Sequence, residues 1–130
     1  MIYLDSCIVI YAAEDRGVRG DRVRRRLREA GGEIVAISPL VILESVVGPI
    51  REGDLALRDR YDQLFERFRL LDLDEAAHRR AAELRARTGI RTPDALHLAA
   101  AQLNGCSALW TNDRRLGAAS HGLAVDVVNS

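Results

Sequence analysis

Short apolar runs alternate along the chain with capped, amphipathic stretches, and that rhythm assigns most of its elements. Ile2 to Leu4 is a run of strand formers. Ser6 to Glu14 follows as a helix with Asp5 or Ser6 at its N-cap. Gly17 and Gly20 mark a turn, after which Asp21 caps a basic helix that runs through Ala30 and is closed by Gly31-Gly32. Ile34 to Ile37 reads as a second buried strand. Ser38-Pro39 is a cap followed by proline at the first helical position, and that helix reaches about Gly48-Pro49. Asp54 opens another helix, with Leu57, Tyr61, Leu64, Phe65 and Phe68 at roughly helical spacing. Leu70 to Leu73 is a short strand, and Asp74 caps an Ala- and Arg-rich helix ending near Thr88-Gly89. Thr92-Pro93 repeats the cap-plus-proline start of a helix that reaches Asn104-Gly105. Ala108 to Trp110 is a strand, Arg114 to Ala119 a short helix and Ala124 to Val128 a last strand.

Strands and helices alternate throughout, which predicts an α/β fold. It is a three-layer sandwich with a mostly parallel central sheet of four to five strands flanked by helices. A length of 130 residues fits a single domain, 1–130, with one core. No repeat, linker or low-complexity tract interrupts it. In sheets of this kind, sites form beyond the carboxyl ends of the strands.

Four isolated carboxylates break the apolar pattern. Asp5 follows Met1-Ile-Tyr-Leu, Glu44 interrupts Leu40-Val-Ile-Leu and Val46-Val47, Asp94 opens Ala95-Leu-His-Leu-Ala-Ala-Ala, and Asp113 ends Ala108-Leu-Trp-Thr-Asn. An ionised carboxylate in apolar surroundings is costly. Taken singly, Asp5 can serve as a helix cap, Asp94 as an acid at a helix N-terminus and Asp113 as a turn residue. Glu44 has no such structural use. Asp5 and Asp113 each lie just after a strand, and Asp94 and Glu44 lie near helix starts, so the four can converge on one rim. Clustered carboxylates repel one another, and a shared cation relieves the repulsion. Oxygen donors select Mg2+ or Mn2+, and no Cys or His pair stands at zinc-binding spacing.

Composition narrows the reading without redirecting it. Apolar residues make up 48% of the chain, as in globular proteins, and the formal net charge is zero. All 19 basic residues are arginine, whose planar fork suits phosphate and carboxylate. Arg16, Arg19, Arg22, Arg24, Arg25, Arg26 and Arg28 form a dense segment with Val23, Leu27 and Ala30 as its apolar face. That segment is a solvated helix face, an RNA phosphate contact or a docking surface for an acidic partner. Cys7 and Cys106 read as buried thiols of a cytoplasmic protein. No signal peptide or membrane-spanning run is visible. The absence of lysine rules out a P-loop and weighs against receiver-type phospho-acceptor chemistry, and no Gly-x-Gly-x-x-Gly or Ser nucleophile elbow is present.

Four motifs in order carry a family resemblance: Tyr3-Leu-Asp5-Ser6, Ser38-Pro-Leu-Val-Ile-Leu-Glu44, Thr92-Pro-Asp94-Ala-Leu-His-Leu-Ala-Ala-Ala and Trp110-Thr-Asn-Asp113. The chain resembles a PIN domain, and more closely the VapC-type toxin of bacterial toxin–antitoxin pairs, over essentially its whole length. The resemblance implies a Mg2+- or Mn2+-dependent endoribonuclease with Asp5, Glu44, Asp94 and Asp113 as catalytic and metal-binding acids. Ser6 and Thr111 are then hydroxyls that orient carboxylates or water. It further implies an RNA substrate, a VapB-type antitoxin docked near the first helices, and a homodimer. His97, Arg22, Arg25 and Arg26 are candidate contacts to substrate or partner. Two positions depart from the family pattern: Arg115 stands where many members carry a further acid, and His97 stands where an aliphatic residue is more common. An RNA-processing nuclease outside a toxin–antitoxin pair and a catalytically silent binding module are the competing readings.

Overall fold

The computed structural model describes residues 1–129. In chain order the elements are β1 (Ile2–Leu4), α1 (Ser6–Glu14), α2 (Val18–Glu29), β2 (Val35–Ile37), α3 (Pro39–Glu52), α4 (Leu55–Phe65), β3 (Arg69–Leu70), α5 (Glu75–Thr88), α6 (Thr92–Leu103), β4 (Ala108–Trp110), α7 (Arg114–Ala119) and β5 (Ala124–Val125). The five strands form one sheet in the order β3-β2-β1-β4-β5, every pair parallel. Helices flank the sheet on both faces, so the expected three-layer α/β architecture is the one observed.

The strand order reverses at β1: the chain first builds outward to β2 and β3, then returns to place β4 and β5 on the other side. Such a reversal opens a crevice at the carboxyl ends of the two strands that diverge from it, here β1 and β4. Tyr3 pairs with Leu109, and Leu4 with Trp110. The ladder continues one step further, because the Asp5 amide donates to the Trp110 carbonyl at 3.0 Å and the Thr111 amide to the Val125 carbonyl at 3.1 Å. Register therefore sets Asp5 beside Thr111 at the mouth of the crevice. Side chains alternate across a strand, so Tyr3 and Trp110 face opposite layers. Tyr3, Leu4, Ile8, Ile37, Leu98 and Leu109 are fully buried in the core between those layers.

Local chemistry explains where the observed elements differ from those expected. The helix that opens at Ser38 runs through Pro49 to Glu52. Pro49 has no N–H to give the Ser45 carbonyl, and the helix ends only at Gly53, whose φ of 67° is left-handed. Ser38 occupies the cap position, but its hydroxyl meets the Tyr3 hydroxyl at 2.7 Å instead of capping. Asp21 lies in the first turn of α2, not at its cap. The chain reverses there through Asp15, whose carboxylate accepts from the amides of Gly17 and Gly20 at 2.7 and 3.3 Å. Thr92 is the first residue of α6, and Arg91 takes the cap position. Asp54 and Asp74 do cap α4 and α5, accepting from the amides of Leu57 and Ala77 at 3.0 and 2.9 Å. The second strand starts at Val35, one residue later than expected, and the third is Arg69–Leu70 instead of Leu70 to Leu73. The last strand stops at Val125 because the Asp126 carboxylate collects the amides of Val128 and Asn129, which turns the chain out of the ladder.

Arginine closes the end of α1. One Arg24 nitrogen donates to the carbonyls of Tyr11, Ala12 and Asp15 at 3.4, 3.2 and 2.6 Å, which satisfies the acceptors a helix C-terminus leaves open. Tyr61 of α4 donates to Glu14 at the same helix end. Gly20 is buried under this junction, and a Cβ there would run into the Asp15 carbonyl, whereas one at Gly48 would meet nothing. Gly20→Ala should therefore destabilise the protein by about 1–3 kcal/mol in urea unfolding despite alanine's better helix propensity. Gly48→Ala should instead stabilise it by up to about 1 kcal/mol. Equal effects at the two positions would contradict this packing.

Candidate active site

Asp5 is fixed by the residues that follow two strands. Thr111, one step beyond β4, donates its hydroxyl to Asp5 Oδ2 at 2.7 Å, and Ser6 reaches Asp5 Oδ1 at 3.4 Å. The Cys7 thiol lies 3.4 Å from Asp5 Oδ2 and 3.9 Å from the Thr111 hydroxyl. Burial, then the charge of Asp5, push that thiol up to about 12, so it remains a thiol and serves as a weak donor. Thr111 has a second use: its oxygen accepts from the Asp113 amide at 3.1 Å. Both hydroxyls expected to orient carboxylates are therefore in contact with one.

Asp94 enters from the first turn of α6, where apolar neighbours bury it; it is 6% exposed, as is Asp5. Burial raises its carboxyl above the usual range. The Arg91 hydrogen bond opposes that rise, and the charges of Asp113 and Asp5 add to it. Arg91 Nε donates to Asp94 Oδ2 at 3.1 Å, and an Arg91 terminal nitrogen lies 3.8 Å from Asp113 Oδ2. Asp113 caps α7, its Oδ1 accepting from the amides of Arg115 and Leu116 at 2.8 and 3.1 Å. The turn role open to Asp113 from sequence is thus real, and it leaves Oδ2 facing Arg91 and Asp94.

Glu44 comes from α3, more than a turn from its start, and is joined to the others through His97. His97 Nε2 lies 2.6 Å from Glu44 Oε1 and 3.7 Å from Asp5 Oδ1. Burial raises the Glu44 carboxyl, but the hydrogen bond from His97, then that from Ser6 and the charge of Arg91, outweigh it and hold the group below the usual range. Four acids from four separate elements therefore share one rim, interleaved with His97 and Arg91.

The donor chemistry fits a hard divalent cation: carboxylate oxygens only, two of the acids almost fully buried, and one raised by that burial and then by its like-charged neighbours. Among the described residues no three His, Cys, Asp or Glu side chains already close into a cage. Oxygens of Glu44 and Asp94 are instead engaged by His97 and Arg91. Asp5, Glu44, Asp94 and Asp113 are the residues that would hold such an ion.

The arginines expected to touch substrate or partner are divided. Arg22 donates to the Val128 carbonyl at 3.1 Å and Arg26 lies over the Trp110 ring, 5.6 Å from its centroid, so one ties α2 to the segment after β5 and the other ties it to β4. Arg25 is exposed. Trp110 is buried in β4, as its strand position implies. His97 is at once a core histidine, 1% exposed, and a contact of the site. Tyr3, Cys7 and Arg91 were not expected there. Arg91 stands three residues before Asp94, a spacing that pairs charges along a helix and was open to sequence reasoning. Tyr3 and Cys7 had no signal beyond being the polar atoms of apolar runs.

Residues 2–121 match the PIN domain family. Among solved structures the chain is similar to a toxin–antitoxin complex from Klebsiella pneumoniae, at 24% identity over 98% of each chain with a TM-score of 0.81. It is similar to FitAcB from Neisseria gonorrhoeae, at 20% identity over 100% of each chain and a TM-score of 0.85. A third is VapC20 of Mycobacterium tuberculosis, a Sarcin-Ricin loop cleaving toxin, at 17% identity, 92% of this chain, 95% of that chain and a TM-score of 0.76. At such identities the likeness is one of fold. No curated protein matches the sequence.

The acid cluster sets a trade between stability and function. Asp94 is raised in the folded state, so the folded protein holds that proton more tightly than the unfolded chain. Without divalent ions, stability is lost as pH rises from the unfolded value through the folded one. Asp94→Asn removes the loss. In EDTA at pH 7 its Tm should exceed that of the wild type, and the two should converge towards about pH 3, below the ordinary carboxylate range. A variant that melts below the wild type at pH 7 would show that the Arg91 pair outweighs the crowding.

Proposed function

The chain belongs to the PIN domain family, and from that premise we propose that it is a Mg2+- or Mn2+-dependent endoribonuclease, the toxin of a VapBC-type toxin–antitoxin pair. The observation that carries the reading is the convergence of Asp5, Glu44, Asp94 and Asp113 at the crevice between β1 and β4. When bound, a divalent cation supplies activated water and neutralises charge developing on a phosphodiester. The residues themselves do the placing. Thr111 and Ser6 fix Asp5, Thr111 also fixes the backbone of Asp113, and His97 fixes Glu44. Arg91, whose side chain is 69% exposed, is the cation nearest the acids that can swing to a phosphate.

A partner protein is supported by a separate surface. A groove of about 820 Å3 lies away from the acids, lined by Leu27, Arg28, Ile34, Leu64, Arg67 and Phe68 among others. Apolar side chains framed by arginines suit an acidic, amphipathic segment of an antitoxin. The occurrence of the same fold in a toxin–antitoxin complex from Klebsiella pneumoniae agrees with that use. No helix among the described residues is long and apolar enough to cross a membrane. Leu43, Val47 and Ile50 recur along an exposed face of α3, which supports self-association.

The purified protein should cut structured RNA with Mg2+ or Mn2+ and stop when a chelator is added. Asp5→Ala and Asp94→Asn should each reduce cleavage to background. Full cleavage by either variant would falsify the assignment. For the toxin role, expression should arrest growth, and co-expression of a small reading frame adjacent to the gene should relieve the arrest. Cleavage without arrest would favour an RNA-processing nuclease.

A further inference from the structure

Of the four acids, Glu44 is the one that backbone position fixes least. Asp5 stands at a strand end and Asp113 at a helix cap, and Asp94 is buried in the first turn of α6. Glu44 projects from well within α3 on a side chain that is 28% exposed and has three rotatable bonds. Its Oε1 lies 2.6 Å from His97 Nε2, on a helix 53 residues further along the chain.

His97 is itself held from behind. Its Nδ1 lies 2.7 Å from the Tyr3 hydroxyl, and that hydroxyl lies 2.7 Å from Ser38 Oγ. Tyr3 and Ser38 are fully buried, and the rings of Tyr3 and His97 pack at 5.6 Å with planes tilted by 52°. Buried polar atoms must find partners, and with a neutral imidazole facing the Glu44 carboxylate this set satisfies itself in one direction. Glu44 is an ionised acceptor, so Nε2 carries the hydrogen and donates. Nδ1 is then the lone pair that accepts from the Tyr3 hydroxyl, and the Tyr3 oxygen accepts from Ser38. Each donor is used once and no acceptor is left over along the line. An aliphatic residue at 97 would leave one hydroxyl of the buried Tyr3–Ser38 pair without an acceptor and Glu44 without its donor.

We propose that His97 is a positioning residue of this site: clamped by Tyr3 and Ser38, its Nε2–H holds the Glu44 carboxylate beside Asp5 in the geometry that receives the divalent cation. The metal arm of this proposal rests on the nuclease reading above; the clamp itself exists without metal. It resembles the outer-shell groups that orient ligands in other metal sites, with the order inverted: here the imidazole supports the carboxylate.

A double-mutant cycle on Mn2+ binding, followed by calorimetry on the full chain, tests the role. His97→Leu should weaken Mn2+ binding by roughly 10- to 100-fold, His97→Gln, which retains an N–H donor, should recover most of that loss, and Tyr3→Phe should fall between. Because His97 acts through Glu44, His97→Leu should cost nothing further in a Glu44→Gln background. A purely structural histidine would weaken binding equally in both backgrounds, and that outcome overturns the proposal, as does unchanged Mn2+ affinity in His97→Leu. In the metal-free wild type, long-range 1H–15N correlation should show His97 as the Nε2–H tautomer. The opposite tautomer overturns the clamp and leaves the nuclease reading standing, and it can be read even if His97→Leu fails to fold. A wild-type protein that neither binds Mn2+ nor cuts RNA overturns both.

Discussion

The parallel pairing of β1 with β4 is the constraint on which the rest of the molecule turns. It seats a strand of three residues between two neighbours and fixes, to the residue, what stands at its carboxyl end. One step beyond that pairing, Asp5 and Thr111 are adjacent because the register continues to set them side by side. Within it, Tyr3, opposite Leu109, faces the layer that carries His97. A register slip of a single residue would turn Tyr3 and Asp5 toward the layer of Trp110 and dismantle the rim. The short strands of this sheet are thus specified less by their length than by how completely both neighbours and both layers enclose them.

Electrostatics then decides how the rim is tolerated. Four carboxylates of like sign in a half-buried crevice oppose folding unless something compensates them. Two groups are set against them, one by hydrogen bonding and one by charge. His97 is buried, immobile and bound into the core, whereas Arg91 is largely solvent-exposed and reaches its acids on a flexible stem. One holds an acid in place, and the other can let go. Two of the carboxyls show the balance: Glu44, hydrogen-bonded by His97, is held low, and Asp94 is held high by its burial, with Asp113 and Asp5 adding to the rise.

Most of this was legible in the sequence wherever the cause is local. The alternation of elements, the caps at Asp54 and Asp74 and the strand Ala108–Trp110 follow from residues within a few positions of one another. What sequence misplaced depends on partners far along the chain or on terminations with several chemical options. Proline at 49 looks like a stop, but Gly53 with its left-handed backbone is the stop the helix uses. Asp21 looks like a cap, but Asp15 performs the reversal. The four acids were readable as a set, since each disrupts an apolar run. Their supports were not: Tyr3 and His97 are 94 residues apart, and nothing local says that they touch. The basic segment shows the opposite difficulty. Its density suggested a surface, whereas Arg22, Arg24 and Arg26 are spent on carbonyls and an indole.

The Cys7 thiol, pressed between Asp5 and Thr111, has a chemical meaning of its own. Burial and the charge of Asp5 keep it in the thiol form at neutral pH. Peroxide and alkylating electrophiles react chiefly with the thiolate. The protein thus places sulfur at the edge of its acid crevice in its less nucleophilic form, so the acid cluster sits beside an atom that oxidants and electrophiles attack slowly.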